Sequence, residues 1–529
     1  MKKLSNILLT GMALIGLLSC EIKVQKESEN KPNVLFILVD DLGYFDLGVT
    51  GSKFYETPNI DKLAKSSFRF TQGYASSQVC SPARASIMTG KFTARHGVTD
   101  WIGAKTGDEW HQSAPYTRLL PPAYKKDLNG EFTLGEAFKD AGYQTFFAGK
   151  WHLGETEDQW PENRGFDINI GGWRVGSPIG GYFAPFDNPR LKKYPDGENL
   201  SMVLANETVD FLKIEKDKPF FAMLSFYAVH GPLQSTKDKW QKYRDKAVNS
   251  GVAENGYEME RRYPIRVVQD NPVYAGLVEQ MDDAVGVILE ALEQLGLAEN
   301  TIVVFTSDHG GVASGDGFAT SNLPLRGGKG YQWEGGLRVP YFLKIPDKKN
   351  SAKEISVPVS GHDFFPTLLD YAGYNIPDHH EIDGKSLKPL MEGREFNERP
   401  LYWHYPHYGN QGGDPSSVLR QGDWKLIHYW EDGHSELYNL LDDPQEQNNI
   451  ADRHKEKVDE MNTHLMDWLK ENNIELPKLV GNFDTKLEQE QYQRMSTARK
   501  QQLEEERENM FSKEFQPNKD WWGSKMTKD

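Results

Sequence analysis

Ionisable side chains follow four apolar runs of this sequence. The runs are NVLFILV, QTFFAG, PFFAMLS and TIVVFTS, and the groups that follow them are Asp40 with Asp41, Lys150 with His152, His230, and Asp308 with His309. Continuous apolar runs are typical of strands buried on both faces of a parallel sheet. The carboxyl ends of such strands form the edge at which active sites lie. We therefore expect one shared site; the alternative is four unrelated strand ends in solvent.

The acidic members of this set predict a divalent cation. Hard cations such as calcium or magnesium take carboxylate oxygens, which Asp40, Asp41 and Asp308 supply. Adjacent carboxylates repel one another unless a cation offsets their charge. The alternative is that these aspartates cap helices. His309 fits calcium less well, because imidazole suits zinc or transition metals better.

Basic and proton-transferring side chains predict an oxyanion substrate. Lys150, His152 and His230 follow the apolar runs, and Lys329 lies in the glycine-rich segment PLRGGKG. Glycines let the backbone approach an anion closely. A metal with several cationic side chains suits a sulfate or phosphate ester. The Walker pattern G-x-x-x-x-G-K-[ST] does not occur in the sequence.

One of the two cysteines lies in the segment CSPARASIMTG, at Cys80. The other, Cys20, ends an N-terminal segment typical of export signals, so Cys80 has no partner inside the chain. Thiols of exported proteins tend to oxidise, and an unpaired one is either buried and inert or chemically used. The polar neighbours of Cys80 favour a chemical role.

These motifs together resemble the type I sulfatases, which belong to the alkaline-phosphatase-like superfamily. The marker is C-x-P-x-R at Cys80 to Arg84, supported by VDDLG, GKWHLG, SDHGG and PLRGGKG, and the resemblance extends from about Asn33 to Ile450. It implies that a formylglycine-generating or an anaerobic sulfatase-maturating enzyme oxidises Cys80 to Cα-formylglycine. The hydrated aldehyde would attack sulfur with one hydroxyl and expel sulfate with the other.

The resemblance also implies roles for the other motif residues. His152 corresponds to the base that helps expel sulfate, and His230 to the proton donor of the leaving alcohol. Ala83 stands where the signature commonly has serine. His309 stands where many members have asparagine, so another divalent metal such as zinc is the alternative to the family's usual Ca²⁺. The implied metal ligands are Asp40, Asp41, Cys80, Asp308 and His309, and the implied catalytic residues are Cys80, Arg84, Lys150, His152, His230 and Lys329.

Substrate contacts are predicted outside the motifs. Aromatic rings can stack on sugars, and basic groups can pair with further sulfates or carboxylates. For each residue taken alone, simple surface exposure is the alternative. The candidates are His96, Asp100, Trp101 and Arg118, with Lys125, Lys126, His404, His407 and Arg420 as further ones.

The N-terminus predicts export and a lipid anchor. Residues 1–19 have two lysines and a short apolar run, which is typical of a signal peptide. The segment LLSC resembles the lipobox of bacterial lipoproteins, which implies that Cys20 is lipidated and that residues 20–31 form a tether. We expect attachment to the outer membrane, facing the periplasm or the cell surface. An ordinary signal peptide is the alternative.

The rest of the chain predicts an α/β fold with a smaller second unit. We expect a large, mixed or mostly parallel sheet between helices at residues 32–397, an antiparallel sheet with a helix at 398–478, and a charged helical tail at 479–529. The net charge of −16 argues against a nucleic-acid partner.

The function expected from all of this is hydrolysis of sulfate esters in a sulfated oligo- or polysaccharide. Algal glycans such as ulvan or carrageenan, and glycosaminoglycans, are the candidates. One alternative is a phosphodiesterase or phosphonate hydrolase of the same superfamily. Another is a glycan-binding lipoprotein without catalysis.

Overall fold

The computed structural model describes residues 31–346, 352–481 and 483–518. The predicted signal peptide and Cys20, with nearly all of the predicted tether, lie outside the described residues. Among those that are described, no helix is both long and apolar enough to cross a membrane.

An eight-stranded mixed sheet forms the centre of the larger unit. The four predicted strands are adjacent and mutually parallel, with Asn33–Val39 between Thr301–Ser307 and Phe220–Ser225, and Gln144–Gly149 beyond the last. Antiparallel pairing begins where Tyr341–Lys344 joins Thr301–Ser307. The order across the sheet is Lys353–Ile355, Phe68–Phe70, Tyr341–Lys344, Thr301–Ser307, Asn33–Val39, Phe220–Ser225, Gln144–Gly149 and Ile168–Ile170.

Helices cover both faces of this sheet, because alternate residues of a strand point to opposite sides. Leu35 and Ile37 belong to one buried apolar cluster, which includes residues of helix Pro272–Gln294. Val34 and Phe36 belong to the opposite cluster, with residues of helix Phe364–Tyr371. The predicted sandwich of helices around a mostly parallel sheet is confirmed.

The α-helices of the described chain vary from one turn to six. They are Pro58–Lys65, Cys80–Thr89, Thr93–His96, Gly107–Ser113, Leu134–Asp140, Leu200–Lys213, Lys237–Ser250, Pro272–Gln294, Glu334–Leu337, Phe364–Tyr371, Lys388–Met391, Lys455–Glu471, Thr485–Arg494 and Lys500–Asn509.

A second, antiparallel sheet follows near the C-terminus, as predicted. Its strands, in order, are Leu401–Tyr405, Ser416–Gln421, Trp424–Tyr429 and Ser435–Asn439. Helix Lys455–Glu471 packs on it through Met461, Leu465 and Leu469, which lie in the same apolar cluster as Leu419 and Leu426. The boundary proposed at residue 397 stays a prediction.

Three two-stranded pairings complete the described strands. One of them joins the segment after the second sheet to the larger unit. They are Gly73–Tyr74 with Val359–Ser360, Leu119–Leu120 with Lys478–Leu479, and Tyr257–Glu260 with Tyr263–Arg266.

The charged tail is helical but only partly solvated. Helices Thr485–Arg494 and Lys500–Asn509 are joined through a π-helical turn at Met495–Arg499. Leu503 and Arg507 of the second helix are almost completely buried. The tail is therefore packed against the larger unit on one side.

Candidate active site

The four predicted strand ends meet at one edge of the sheet. Val39 pairs in register with Ser307, and Ser225 lies level with both Leu38 and Gly149. The residues that follow these positions therefore leave the sheet side by side, as the parallel arrangement requires. Asp40 and Asp41, Lys150 with His152, His230, and Asp308 with His309 come together in this way.

Close backbone approach requires a glycine at the end of one of these strands. Gly149 has a positive φ of 102°, and a Cβ there would lie 1.9 Å from the Ser225 carbonyl oxygen. Only glycine tolerates both conditions. The contact lets the Lys150 amide donate to the same Ser225 oxygen at 2.7 Å, which fixes where the Lys150 side chain begins.

Cys80 is the first residue of helix Cys80–Thr89 and is 4% exposed. Its Sγ lies 3.3 Å from His309 Nε2. Burial opposes ionisation, but the charges of Lys150, Lys329 and His309 outweigh it, so the pKa of the Cys80 thiol lies well below its usual value. The site therefore stabilises negative charge at the Cys80 side chain.

Arg84 lies one helical turn after Cys80 and ties the strand ends together. Its Nε donates to Asp308 Oδ2 at 2.8 Å, and its Nη1 donates to the Lys150 carbonyl at 2.9 Å and to Ser225 Oγ at 2.7 Å. Lys150 Nζ in turn donates to Asp40 Oδ2 at 2.5 Å. Arg84 is 2% exposed and Lys150 is completely buried, so their geometry is held rigidly.

A group of four buried side chains offers a metal site. Asp40, Asp41, Cys80 and His309 each present a ligand atom, and these atoms lie within 4.8 Å of one another. Asp40 Oδ1 and Asp41 Oδ2 have no hydrogen-bond partner among the described residues. Burial and the charge of Asp308 raise the pKa of the Asp40 carboxyl well above its usual value. Positive charge placed among these oxygens would offset the repulsion, so the donor set fits a divalent cation.

Asp308, predicted as a further ligand, is not in that four-residue group. Its Oδ2 accepts from Arg84, and its Oδ1 accepts from the Asp41 amide at 3.3 Å and lies 3.5 Å from His309 Nε2. Asp308 therefore lies beside the group, and its role as a ligand stays a prediction.

Of the two histidines predicted to move protons, His152 is buried and His230 is half-buried. His152 Nδ1 lies 3.3 Å from Ser81 Oγ, and His230 Nδ1 lies 2.7 Å from the Gly231 carbonyl oxygen. Burial lowers the pKa of each imidazole below its usual value. The environment therefore favours the neutral form of each ring, and the neutral form of His152 suits a group that accepts a proton.

A cavity of about 420 Å³ opens above these residues. Cys80, His152, His230 and Lys329 are among its lining residues, whereas Asp40 and the rest of the acidic group do not line it. Lys329 Nζ donates to Asp41 Oδ1 at 2.8 Å, so this lysine connects the cavity to the carboxylates. An oxyanion entering the cavity would meet these cationic and proton-transferring groups together.

The substrate contacts predicted outside the motifs are only partly brought to this cavity. Trp101 lines it and is 38% exposed. His96 is buried and its Nε2 lies 3.0 Å from Ser86 Oγ. Asp100, whose pKa burial raises to about 7, accepts from the Trp101 amide and the Tyr405 hydroxyl.

The remaining predicted contacts also lie outside the cavity. Arg118 pairs with Glu488 of the tail at 2.9 Å. His404, His407 and Arg420 are buried and bonded to Ser417, Thr99 and Tyr74 respectively. Lys125 and Lys126 are exposed and do not line the cavity either.

Several lining residues carry no sequence signal that reveals them. Arg174 and Asp316 are isolated in loops, and Asn410 with Gln411 comes from the loop between strands Leu401–Tyr405 and Ser416–Gln421 of the second sheet. Asp316 Oδ1 accepts from Asn410 Nδ2 at 2.9 Å, and its Oδ2 accepts from Gln411 Nε2 at 2.5 Å. Only the fold brings these segments together, so spacing along the chain could not have identified them.

Comparisons with known proteins identify a single family. The profile of the family described as Sulfatase matches residues 32–374, and that of N-sulphoglucosamine sulphohydrolase, C-terminal, matches residues 328–475. A protein of Formosa agariphila named sulfatase is 30% identical over 89% of this chain and 95% of its own length. Human N-acetylgalactosamine-6-sulfatase is 31% identical over 75% of this chain and 72% of its own.

Solved structures agree with these matches. Ps i-CgsB is 27% identical, with a TM-score of 0.66 over 83% of this chain and 92% of its own. Its structure is also known in complex with k-i-k-neocarrahexaose. The phosphonate monoester hydrolase of Agrobacterium radiobacter, at 20% identity and a TM-score of 0.59 over 83% of this chain and 96% of its own, shares the fold alone. The chain belongs to the sulfatase family of sulfuric ester hydrolases.

Proposed function

We propose that this protein removes sulfate from a sulfated oligo- or polysaccharide. The observation that carries the proposal is the position of Cys80 at the cavity, surrounded by Lys150, Lys329, His152 and His230. A sulfate ester has three oxygens that need positive charge and a leaving oxygen that needs a proton. This arrangement would supply both needs at one cavity.

A divalent cation, for which we propose Ca²⁺, would be held by Asp40, Asp41, Cys80 and His309. The carboxylate oxygens without hydrogen-bond partners support a hard cation. When bound, it would supply positive charge that draws electrons from the sulfate group. Because the His309 imidazole suits zinc better than calcium, Zn²⁺ is the alternative metal.

We propose that Cys80 acts after oxidation to Cα-formylglycine by a maturation enzyme. The hydrated aldehyde would supply one hydroxyl that attacks sulfur and a second whose deprotonation releases sulfate. Arg84 and Lys150 hold this end of helix Cys80–Thr89 in place through their hydrogen bonds. His152 would take up the proton of the second hydroxyl.

His230 and Lys329 would act on the substrate itself. Lys329 would bind a sulfate oxygen while its Nζ remains 2.8 Å from Asp41. His230 Nε2 lies 3.9 Å from Asp41 Oδ2 and lines the cavity. This position suits it to give a proton to the departing sugar oxygen.

The outer part of the cavity supports a sugar as the alcohol that leaves. Trp101 offers a ring face, Asp316 offers acceptor oxygens and Arg174 offers a guanidinium that could pair with a second anionic group. Relatives named for sulfated galactosamine and a neighbour bound to a carrageenan oligosaccharide support this substrate class. Algal sulfated glycans and glycosaminoglycans are the candidates.

We also propose that the protein is exported and lipidated at Cys20, on the outer membrane. The support is the N-terminal sequence alone. Incorporation of a radiolabelled fatty acid, lost in Cys20→Ala, is the expected result. Absence of label in the wild-type protein would contradict the anchor without affecting the proposed activity.

Sulfate release from a panel of sulfated oligosaccharides, measured by ion chromatography, tests the activity. The protein is co-expressed with a maturation enzyme, and mass spectrometry confirms formylglycine at position 80. We expect release from one glycan class and a loss of at least about a thousandfold in Cys80→Ala, because the variant has no attacking group.

Two further measurements complete this test. Asp378→Asn, an exposed side chain away from the cavity, should retain full activity. The second measurement compares kcat/KM for the sulfate ester and the phosphate ester of the same alcohol. The ester with the higher kcat/KM identifies the class that the enzyme hydrolyses. A preference for the phosphate ester, or release that persists in Cys80→Ala, would overturn the proposal.

A further inference from the structure

We propose that a second cavity, formed partly by the C-terminal tail, is an accessory site for one sugar unit of the polymer. It has a volume of about 410 Å³ and is separate from the catalytic cavity. The inference rests on the proposed carbohydrate substrate and adds a site for a unit remote from the sulfate that is cleaved. The tail lies beyond residue 475, where the family matches end.

Three parts of the chain build this second cavity. Tyr116 comes from the segment after helix Gly107–Ser113, and the tail's share comes from helix Thr485–Arg494. Arg262 lies in the turn after strand Tyr257–Glu260, and Tyr263 begins strand Tyr263–Arg266. A cation–π contact with Arg118, whose guanidinium lies 4.5 Å from the Phe483 ring centroid, helps to fix the start of the tail. The cavity exists only because the tail packs here.

The lining chemistry favours an uncharged, hydroxyl-rich ligand. Tyr116, Tyr263 and Tyr492 present aromatic rings, and Tyr492 is 48% exposed. Gln489 and Gln491 add amide groups that both donate and accept hydrogen bonds. Rings that cover the apolar face of a sugar, with amides that reach its hydroxyls, form a site of the kind that small polar ligands use.

The two charged residues that line this cavity, Arg262 and Glu488, form ion pairs with residues outside it. Arg262 Nε lies 3.1 Å from Asp414 Oδ1, and its Nη2 pairs with Glu431. Glu488 Oε2 accepts from Arg118 at 2.9 Å. Because each charge is satisfied, this cavity does not offer the free cation that a sulfate or phosphate group needs. It therefore suits the ring and hydroxyls of a sugar rather than its sulfate.

The loop around Gln411 and Gly412 lies between the two cavities. Gln411 lines the catalytic cavity, and the Tyr263 ring lies 3.2 Å from the position that a Cβ on Gly412 would take. The two cavities therefore lie on either side of one loop, and the proposal is that a saccharide bound by its sulfated unit at Cys80 reaches the second cavity with a unit further along its length. Occupation of both would strengthen binding of long chains through effective concentration.

Isothermal titration of the full-length Cys80→Ala protein tests this inference. The probes are hexasaccharides and disaccharides prepared from carrageenan, ulvan and chondroitin sulfate. We expect at least one hexasaccharide to bind at least about tenfold more tightly than its disaccharide, and Tyr492→Ala to remove about tenfold of that affinity. Affinity for the disaccharide should stay unchanged. Leu487→Ala, on the same helix but outside the cavity, is the matched control.

Steady-state kinetics of the matured enzyme separates this inference from the proposed function. Tyr492→Ala should raise KM for the hexasaccharide and leave kcat/KM for the disaccharide as in the wild type. Hexasaccharides that bind no more tightly than disaccharides, or an equal loss for both lengths, would overturn the accessory site. Absence of sulfate release from every probe would instead count against the proposed function, while length-dependent binding would still support the second cavity.

Discussion

At the scale of single residues, Asp316 presents a held carboxylate at the edge of the catalytic cavity. Its two oxygens are oriented by Asn410 and Gln411, and Lys329 Nζ lies 3.6 Å away. A carboxylate held in this way keeps lone pairs for hydroxyl groups of a ligand in the cavity. It also joins the loop at Gln411 to the larger unit.

Asp316→Asn should therefore lower kcat/KM on the sulfated oligosaccharide by roughly tenfold to a hundredfold. The amide cannot accept at both ends, so one of the two amide donors and one sugar hydroxyl lose their acceptor. Initial rates over a range of substrate concentrations measure the effect, which should lie mainly in KM. An unchanged kcat/KM, with Asp378→Asn as the control for loss of a surface charge, would show that Asp316 does not contact the substrate.

Site residues that lie in sequence motifs could be predicted, whereas most of those outside the motifs could not. The aspartates, lysines and histidines at the four strand ends could be predicted, because a parallel sheet brings the ends of its strands to one edge. Arg174 and Asp316 could not, because their positions depend on loops from distant parts of the chain. His96 shows the opposite failure: proximity to the motif suggested a contact, but its side chain points into the core.

At the scale of secondary structure, buried Asp46 links the segment after strand Asn33–Val39 to helix Pro272–Gln294 and to the loop that contains Thr320. Its oxygens accept from the Tyr274 hydroxyl at 2.6 Å, the Thr320 hydroxyl at 2.7 Å and the Gly43 amide at 2.8 Å. Burial raises the pKa of this carboxyl to about 6. The folded protein thus holds the Asp46 proton more tightly than the unfolded chain does.

This shift predicts how stability depends on pH. Since the pKa is raised on folding, the contribution of Asp46 is fully present below its unfolded pKa of 3.8 and is lost as pH rises through about 6. The free energy of unfolding of the wild type, relative to Asp46→Asn, should fall by roughly 2 kcal/mol between about pH 4.5 and 7.5. Urea denaturation of both proteins at each pH measures it.

The control for this prediction is Asp378→Asn, whose unfolding free energy should follow that of the wild type at both pH values. Curves for Asp46→Asn that stay parallel to the wild type across this range would contradict the raised pKa.

Long elements were predictable from the sequence and short ones were not. The apolar run from Asn33 predicted strand Asn33–Val39, because a strand buried on both faces is apolar along its whole length. Two-residue strands such as Leu119–Leu120 have no period to detect. They form only because Lys478–Leu479 lies beside them in the folded chain.

At the scale of the whole molecule, the tail joins regions that are far apart in sequence. Arg507 is 2% exposed, and its guanidinium donates to Asp270 Oδ2 from Nε at 2.8 Å and from Nη2 at 2.6 Å. Beyond it, the Trp240 indole donates to the Met510 carbonyl at 3.1 Å. The sequence predicted a charged helical tail, but its charge pattern could not reveal that one arginine of this segment is buried against a partner carboxylate.

The end of the tail also lies close to the loop that carries His230. The Ser235 amide donates to the Pro517 carbonyl at 3.2 Å, and neighbouring Gln234 accepts from the Tyr182 amide at 2.7 Å. The Tyr182 hydroxyl lies 2.7 Å from the His230 carbonyl oxygen. Gln234 Nε2 also donates to the Asn518 carbonyl oxygen at 3.2 Å, so hydrogen bonds link the tail through Gln234 and Tyr182 to the backbone of His230.

Removal of the arginine contact should release the tail before the rest of the protein unfolds. Arg507→Ala leaves the buried Asp270 carboxylate with Arg266 as its arginine partner, at a loss of about 3 kcal/mol for a buried pair. Within helix Lys500–Asn509, Leu503 is then the buried residue that holds the tail. We expect limited proteolysis to cut residues 485–518 at least about tenfold faster, with a lower kcat because the support of the His230 loop is lost.

Glu508→Ala, exposed on the same helix, should behave as the wild type. Equal cleavage rates for Arg507→Ala and the wild type would mean that the tail is held by its remaining contacts, and an unchanged kcat with a released tail would mean that His230 is positioned without it.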